Sequence, residues 1–406
     1  MKIKCSTLTA CVAFSLMAQS AFADGIVNKQ SLSADYTRSF TRHAATDYAD
    51  IVVYNPAGVM KMKNGSYAKL DFVTLQKDYT NSVPGMGEFD QDDTFTVIPS
   101  FFALYKQERW AGFFAVTIPG GGGIVDYSQG NATTLQIAGY VLASSPFTTV
   151  ESMSLEAKSY YVGYTLGASY AIDDVWSVST GLRFIDANVE AQSDLGFSIN
   201  GHAGSSRTLG VDYEQDAQGL GGFVGVNIAP TEELNIGFIY QSNTRLLFDT
   251  DIHHDDIGVV NNIAKGREDL PGLIGAGLAY KITPVLKADV NFTWFLEQEA
   301  TWEGRLAGQG DSYDAAVSLE YIINQQWKVS AGYKATRLGI DAERVMAEAP
   351  ELDADTVTVG GVWAFAEKFD LSFSVAKVFY QSVTDADGIV YDKELWGVNA
   401  GVQWKF

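Results

Sequence analysis

Cysteine is almost absent from this 406-residue chain: Cys5 and Cys11 are the only two. Both fall within residues 1–23, which read as a cleavable secretory signal. Lys2 and Lys4 supply the positive start, Leu8 to Met17 the short apolar core, and Ala21-Phe22-Ala23 the small-residue cleavage site before Asp24. Leu8-Thr9-Ala10-Cys11 also resembles a lipoprotein box, although the apolar run continues past Cys11. From Asp24 onward there is no cysteine. A disulfide, a thiolate metal site and a cysteine nucleophile are thereby excluded.

Basic residues are scarce as well. Lys and Arg number 28 against 49 Asp and Glu, a net charge of −21 that becomes −23 once Lys2 and Lys4 are removed with the signal. Binding to nucleic acid is not expected of such a chain. Histidine occurs four times, as His43, His202, His253 and His254. His253-His254-Asp255-Asp256 is the one string with metal-ligand chemistry, but neighbouring side chains rarely converge on one centre, so no metal is expected. No histidine falls in a clearly alternating segment where a serine nucleophile could meet it. Gly120 to Gly123 lacks the Lys-Ser/Thr of a phosphate-binding loop. The chain is read as a non-enzyme without a cofactor. After the signal no apolar run approaches about 18 residues, which excludes a membrane-spanning helix but not a membrane-spanning strand.

Period-two alternation is abundant. Trp396, Val398, Ala400, Val402, Trp404 and Phe406 share one face, with Gly397, Asn399, Gly401, Gln403 and Lys405 on the other. Leu286, Ala288, Val290, Phe292 and Trp294 oppose Lys287, Asp289, Asn291 and Thr293. Trp176, Val178, Thr180, Leu182 and Phe184 oppose Ser177, Ser179, Gly181 and Arg183. These runs exceed the five or six residues of an ordinary soluble strand, and their apolar faces begin or end in aromatic residues, as membrane girdles do. Short turns near Gln107, Asp173, Thr231, Pro284, Gln325 and Lys368 alternate with long polar connections. The rhythm predicts an all-β, antiparallel transmembrane barrel of about fourteen strands. The expected starts are Ser66, Thr94, Arg109, Ala157, Val175, Gly219, Leu234, Leu273, Val285, Ser312, Trp327, Asp355, Phe369 and Lys393. Acidic connections such as Glu88 to Asp93 and Asp251 to Asp256 fit an outer surface facing lipopolysaccharide. The C-terminal pattern Asn399, Gly401, Trp404 and Phe406 looks like the signal read by outer-membrane assembly machinery. The expected setting is the bacterial outer membrane, with a monomeric barrel surrounded by lipid and both chain ends in the periplasm.

Residues 24–65 do not alternate and precede the barrel of residues 66–406. They contain Asp47, Asp50 and then Tyr54-Asn55-Pro56-Ala57-Gly58, where the Asn-Pro step opposes helix and fixes a turn. This element, with the signal before it and the strands and terminal Phe after it, resembles the FadL family of outer-membrane transporters for long-chain fatty acids and other hydrophobic compounds. The resemblance spans the whole chain in architecture, and Asn55, Pro56, Ala57 and Gly58 are its most specific part. It implies that residues 24–65 form a hatch plugging the barrel. It also implies passive uptake of hydrophobic molecules, fatty acids or aromatic hydrocarbons, by external capture, lumen binding, hatch rearrangement and lateral exit. A structural or adhesive barrel with ligand-binding acidic loops and a small-molecule porin are the alternatives.

Each step has candidate residues. Leu135, Ile137, Tyr140, Val141, Leu142 and Phe147, with helical spacing, form either an external capture surface or a loop packed on itself. Pro119, Gly120, Gly121, Gly122 and Gly123 either open the wall sideways or end the third strand. By strand parity Lys69, Arg183, Lys287 and Lys334 point into the lumen, as partners for an anionic headgroup or as structural ion pairs. Lys69 has Asp71, and Lys287 has Asp289, next on the same face. Arg183 has no such neighbour and is the first choice for a headgroup. Deleting Phe406 is expected to reduce the yield of heat-modifiable barrel; an unchanged yield would refute its part in assembly.

Overall fold

A strand in hydrocarbon must bond to neighbours on both sides, so a sheet in a membrane closes on itself. The computed structural model describes residues 24–92, 94–258, 260 and 265–406, and the signal of residues 1–23, with Cys5 and Cys11, lies outside them. It is a closed barrel of fourteen antiparallel strands. They are β1 Gly65–Val83, β2 Thr94–Gln107, β3 Trp110–Tyr127, β4 Thr149–Ala171, β5 Trp176–Ser198, β6 Arg207–Ile228 and β7 Leu234–Gln241. There follow β8 Gly272–Thr283, β9 Leu286–Leu296, β10 Ser312–Ile322, β11 Trp327–Arg337, β12 Ala354–Ala366, β13 Phe369–Tyr380 and β14 Val390–Lys405. Four short ladder pieces, Gly87–Asp90, Leu247–Asp255, Lys265–Arg267 and Val383–Thr384, extend strands beyond the long-loop rim. Pairing of Tyr67 with Lys405 through Ser82 with Val390 closes the ring.

Most starts agree with the alternation to within a residue or two. Three do not: β4 begins at Thr149 rather than near Ala157, β6 at Arg207 rather than near Gly219, and β14 at Val390 rather than near Lys393. In the early part of β6 the alternation is inverted, with Val211, Tyr213 and Ala217 turned inward and Asp212, Glu214 and Asp216 outward, so the outward apolar face that marks a membrane strand is absent there. His253 and His254, expected in a loop, lie in the extension Leu247–Asp255. They sit at a bulge in the pairing with β6, both exposed, His253 reaching Asp212 at 3.4 Å and His254 Asp256 at 2.8 Å.

Outward faces carry exposed Leu166, Leu182, Leu220, Val290, Leu319, Val359 and Val398. At the short-turn rim a chain of rings runs from Trp327 to Trp363 (5.3 Å), Phe365 to Phe369 (5.7 Å), Phe369 to Trp404 (5.5 Å) and Trp404 to Phe406 (4.4 Å). Such a girdle sits where hydrocarbon meets headgroups.

Asp24 to Met62 fills the lumen. It contains one helical turn, α1 (Ala34–Thr37), capped by the Ser33 hydroxyl accepting from the Tyr36 N–H, and two 3₁₀ segments, Ala49–Val53 and Pro56–Lys61. The wall makes room for it with glycines. An added Cβ would lie 1.9 Å from the His43 carbonyl oxygen at Gly237 and 2.4 Å from that of Ser39 at Gly332. Gly237→Ala is expected to loosen the plug by about 1–3 kcal/mol through overpacking. The barrel should remain heat-modifiable while residues 24–62 become protease-sensitive; unchanged protection would refute the close fit.

Candidate functional site

The plug is held by charge at its centre and by a turn at its base. Arg42 pairs with Asp47 (2.7 Å) and Asp50 (2.6 Å), and Arg38 pairs with Asp35 (2.7 Å) and, across the lumen, Glu320 (2.7 Å). Burial alone would lower the Arg42 pKa; Asp47 and Asp50 outweigh it and hold the group well above its ordinary range. Removing one partner of such a buried pair costs about 3–5 kcal/mol. The Asn55-Pro56-Ala57-Gly58 turn is bonded outward: the Asn55 amide donates to Ala45 O (3.0 Å) and Asn227 Oδ1 (2.8 Å). Ser169 Oγ donates to Pro56 O (2.7 Å) and Ser177 Oγ to Ala57 O (2.8 Å). Gly58 is a glycine because a Cβ there would sit 2.3 Å from the Asn55 amide nitrogen.

The wall is incomplete on one side. β2 and β3 pair from Gln107–Trp110 up to Phe101–Val116 and then part. Above that point Thr94–Ser100 ladders with β1, and Thr117–Tyr127 with β4 through two register shifts, at Thr117/Gly120 and Gly121/Gly123. Asp92 N–H donating to Asp126 O (2.8 Å) draws the edges together at the top. Pro119 therefore does not end its strand. The strand continues to Tyr127 and loses one neighbour only. Gly121, at φ +63°, takes a backbone conformation that side chains disfavour, and a Cβ would meet Ser159 O at 2.6 Å. The opposite edge carries Pro99, which the sequence reading missed; a proline inside an alternating run was the available signal. Neither proline has an N–H to donate, which suits both to an unpaired edge.

Behind the gap is a narrow cavity of about 20 Å³, room for roughly one water. It is bounded by Leu32, Val52 and Val53 of the plug, Pro119 of the wall, Arg183 and Phe223. The Lys29 N–H donates to Pro119 O at 2.7 Å, so the plug bonds directly to the kinked strand. Above this level the lumen contains an apolar cluster: Ile26 and Val27 of the plug pack with Tyr161, Ile185 and Val189 of the wall and with Leu246, Phe248, Trp302 and Met346 from the long-loop side. Below it lies the charged network, and below that an open vestibule of about 640 Å³ at the short-turn rim.

A family model described as outer membrane protein transport protein (OMPP1/FadL/TodX) matches residues 14–271. The chain belongs to this family. Solved structures share its fold: a FadL homologue of Pseudomonas aeruginosa (TM-score 0.70, 14% identical, covering 95% of this chain and 100% of that one), the toluene transporter TodX of P. putida (0.68, 12%, 91% and 99%) and the toluene transporter TbuX of Ralstonia pickettii (0.62, 14%, 91% and 99%). No curated protein sequence matches it. It is accordingly an outer-membrane β-barrel of a family of channels for hydrophobic compounds.

The remaining candidates of this FadL/TodX-family chain are distributed as follows. Leu135 to Leu142 lie on a helix, α2 (Ala132–Ser144), whose start is fixed by a capping box between Asn131 and Thr134. Ile137 and Val141 face inward and pack with Tyr79, Tyr127, Leu155 and Phe197; Leu142 and Phe147 rest on the same cluster, and Leu135 is half-buried. Tyr140 alone of the six is exposed. The loop packs inward, and α2 is a lid on the lumen. Lys69 pairs with Asp71 (2.6 Å) and Asp35 (3.1 Å), Lys287 with Asp289 (3.3 Å), and Lys334 with Asp24 and with Asp314 (3.3 Å). Lys69 and Lys334 brace the plug through Asp35 and Asp24, whereas Lys287 pairs within the wall. Arg183 makes no ion pair among the described residues; its Nη1 donates to Gln241 Oε1 at 2.7 Å. Asn399, buried, accepts from Thr74 N–H (3.0 Å) and donates to Ser374 Oγ (3.0 Å), and a Cβ on Gly401 would meet Asp71 Oδ1 at 1.9 Å. Both therefore have packing reasons of their own, whereas Trp404 and Phe406 face outward in the girdle.

His43 was not singled out by the sequence reading. Buried in the plug, it donates from Nδ1 to Tyr54 O (3.1 Å), and its Nε2 accepts from the Thr293 hydroxyl (2.9 Å), which fixes the neutral tautomer. Burial pushes its pKa down to about 4, against the opposing hydrogen bond to Tyr54. A released plug would bind the proton near pH 6.5, so docking is strongest above pH 6.5 and weakens by about 3 kcal/mol as pH falls toward 4. Hydrogen exchange of residues 40–55 should rise over that window and be flattened by His43→Gln; no pH dependence would refute it.

Proposed function

We propose that this protein carries hydrophobic molecules inward across the outer membrane by diffusion, with long-chain fatty acids as leading substrates. The observation that carries the reading is the coincidence of the unpaired wall between β2 and β3 with the small cavity behind it, beneath an apolar cluster in the lumen above. An apolar solute gains nothing from a wet pore and leaves most cheaply into hydrocarbon.

The route begins at the long-loop rim around α2, with Tyr140, Leu135 and the half-buried Leu142 and Phe147 as the surface a solute meets first. It passes the apolar cluster of the upper lumen and reaches the cavity, where Arg183 is placed for an anionic headgroup. Pro119 to Gly123 and Pro99 bound the exit. The short-turn rim and both chain ends face the periplasm in this scheme, and Asn55 to Gly58 anchor a hatch that rearranges around them. A cavity of about 20 Å³ admits no fatty acid, so binding there requires movement of Leu32, Val52 and Val53. The closed lumen disfavours a porin. The toluene transporters of like fold keep aromatic hydrocarbons in view as substrates.

Uptake of labelled oleate and labelled toluene by bacteria lacking their own fatty-acid transporter tests this reading. Oleate uptake should exceed the empty-vector control and fall severalfold with Asn55→Ala/Pro56→Ala in a barrel that still assembles. Uptake of toluene alone would move the substrate to aromatic hydrocarbons. Uptake of neither by inserted barrel would sink the transport reading.

A further inference from the structure

The first residue of the plug is enclosed. Asp24 is wholly buried, and the chain folds back on it. Asp24 Oδ2 accepts from the N–H groups of Gln30 (3.1 Å) and Ser31 (3.2 Å) and from the Ser31 hydroxyl (3.0 Å), while Lys29 Nζ donates to Gly25 O (2.7 Å). On the other side the backbone lies against β9, since a Cβ on Gly25 would meet the Phe295 ring at 2.6 Å. These contacts fix where the α-nitrogen of Asp24 sits.

That spot is rich in carboxylates. Asp24 and Asp314 share one ammonium group, Lys334, which lies 3.3 Å from Asp314. Glu297, just after β9, is buried as well. Its Oε1 accepts from the Ile26 N–H (2.6 Å) and its Oε2 from the Ser312 hydroxyl, which in turn accepts from the Gly339 N–H (3.1 Å). With both oxygens accepting, Glu297 is ionised. Among the described residues no cation lies in ion-pair reach of it, and Lys29, the next cation of the plug, is matched to Glu351 (3.2 Å). Three carboxylates thus face one ammonium group. A buried charge left without a partner is costly. The Asp24 α-nitrogen, two residues before the Ile26 N–H that Glu297 holds, lies within about 7 Å of it along the chain.

We propose that the α-ammonium group made when the chain is cut between Ala23 and Asp24 is the missing counterion of this cluster, so that removal of the leader locks the upper plug in the lumen. The proposal rests on cleavage before Asp24 and not on what the barrel carries. A leader peptidase hydrolyses the Ala23–Asp24 amide: the hydroxyl of a water goes to the Ala23 carbonyl carbon and its hydrogen to the Asp24 nitrogen. The amine so formed takes a further proton from solvent at neutral pH. A neutral amide with one donor becomes a cation with three. Before the cut, Lys334 alone answers Asp24, Asp314 and Glu297. After it, a second cation stands among them, tied by the backbone to the segment it secures.

The intact mass of protein taken from outer membranes is expected to be that of residues 24–406; any other first residue overturns the proposal. Chains of residues 24–406 and 23–406, each freed from a tag without extra residues, are then refolded into the same lipid nanodiscs. Retaining Ala23 should speed hydrogen exchange of residues 24–32 at least about tenfold while the barrel stays heat-modifiable. In Glu297→Gln the same extension should change exchange less than about twofold, because the charge it displaces has lost a partner. Equal exchange at both lengths overturns the lock. An effect undiminished in Glu297→Gln assigns it to crowding and overturns the counterion. If the longer chain fails to fold, an amine-selective reagent at pH 8 serves. The α-amine of residues 24–406 should react at least about tenfold more slowly in the barrel than in urea, and faster in barrels of Glu297→Gln than in the unaltered protein. Equal rates in barrel and urea, or no change on Glu297→Gln, overturn the proposal.

Discussion

Backbone hydrogen bonds between neighbouring strands have no substitute in hydrocarbon, since no water is at hand to replace one that is lost. The ladder between β1 and β14 completes the circuit that this demands. Where β2 and β3 separate, the same demand is met by other means. Lys29 N–H serves Pro119 O, the Lys77 ammonium serves Ile124 O, and Pro99 and Pro119 have no N–H in need of a partner. The wall gap is therefore a place where plug and side chains stand in for a missing strand neighbour, and it ties the state of the plug to the state of the wall.

The plug depends on two kinds of fit. Inward-facing glycines such as Gly237 and Gly332 let its backbone approach the wall more closely than any Cβ allows. Charges then fix its position: Arg38 reaches Glu320, Lys69 reaches Asp35, and Lys334 reaches Asp24. A buried ionic arrangement of this kind contributes less to net stability than to specifying one position, because desolvation cancels much of the attraction. It is compatible with the proposed hatch, which is held in register and rearranges during transport. The lumen is divided accordingly, ionic where the plug is anchored and apolar where a greasy solute would travel.

Much of this was legible in the residues. Period-two alternation located ten or more strands almost to the residue and put Lys69, Arg183, Lys287 and Lys334 on the inner face, because strand geometry leaves only two sides. Asn55-Pro56 marked the turn at the base of the plug because proline restricts the residue before it. Helical spacing in residues 132–144 was visible, but the direction of its apolar face was not: Ile137 and Val141 turn into the lumen because a deeper apolar cluster awaits them there. Pro119 and its glycines drew notice, yet a proline reads equally as the end of a strand or as its edge. Only the register of β2 against β3 separates the two.

The sequence by itself determined the class of molecule: an exported chain, a barrel rather than a helical membrane protein, a non-alternating plug, and a set of inward cations. These follow from composition and local period, which depend on residues near one another in the chain. The tertiary structure alone decided which cations are matched. Asp24 meets Lys334 across 310 positions, and Arg183 meets an amide instead of a carboxylate. It alone placed Lys77 beside Lys393, since β1 and β14 become neighbours only when the barrel closes. Charge pairing inside a closed ring is a property of distance in space, and closure brings the two ends of the chain side by side.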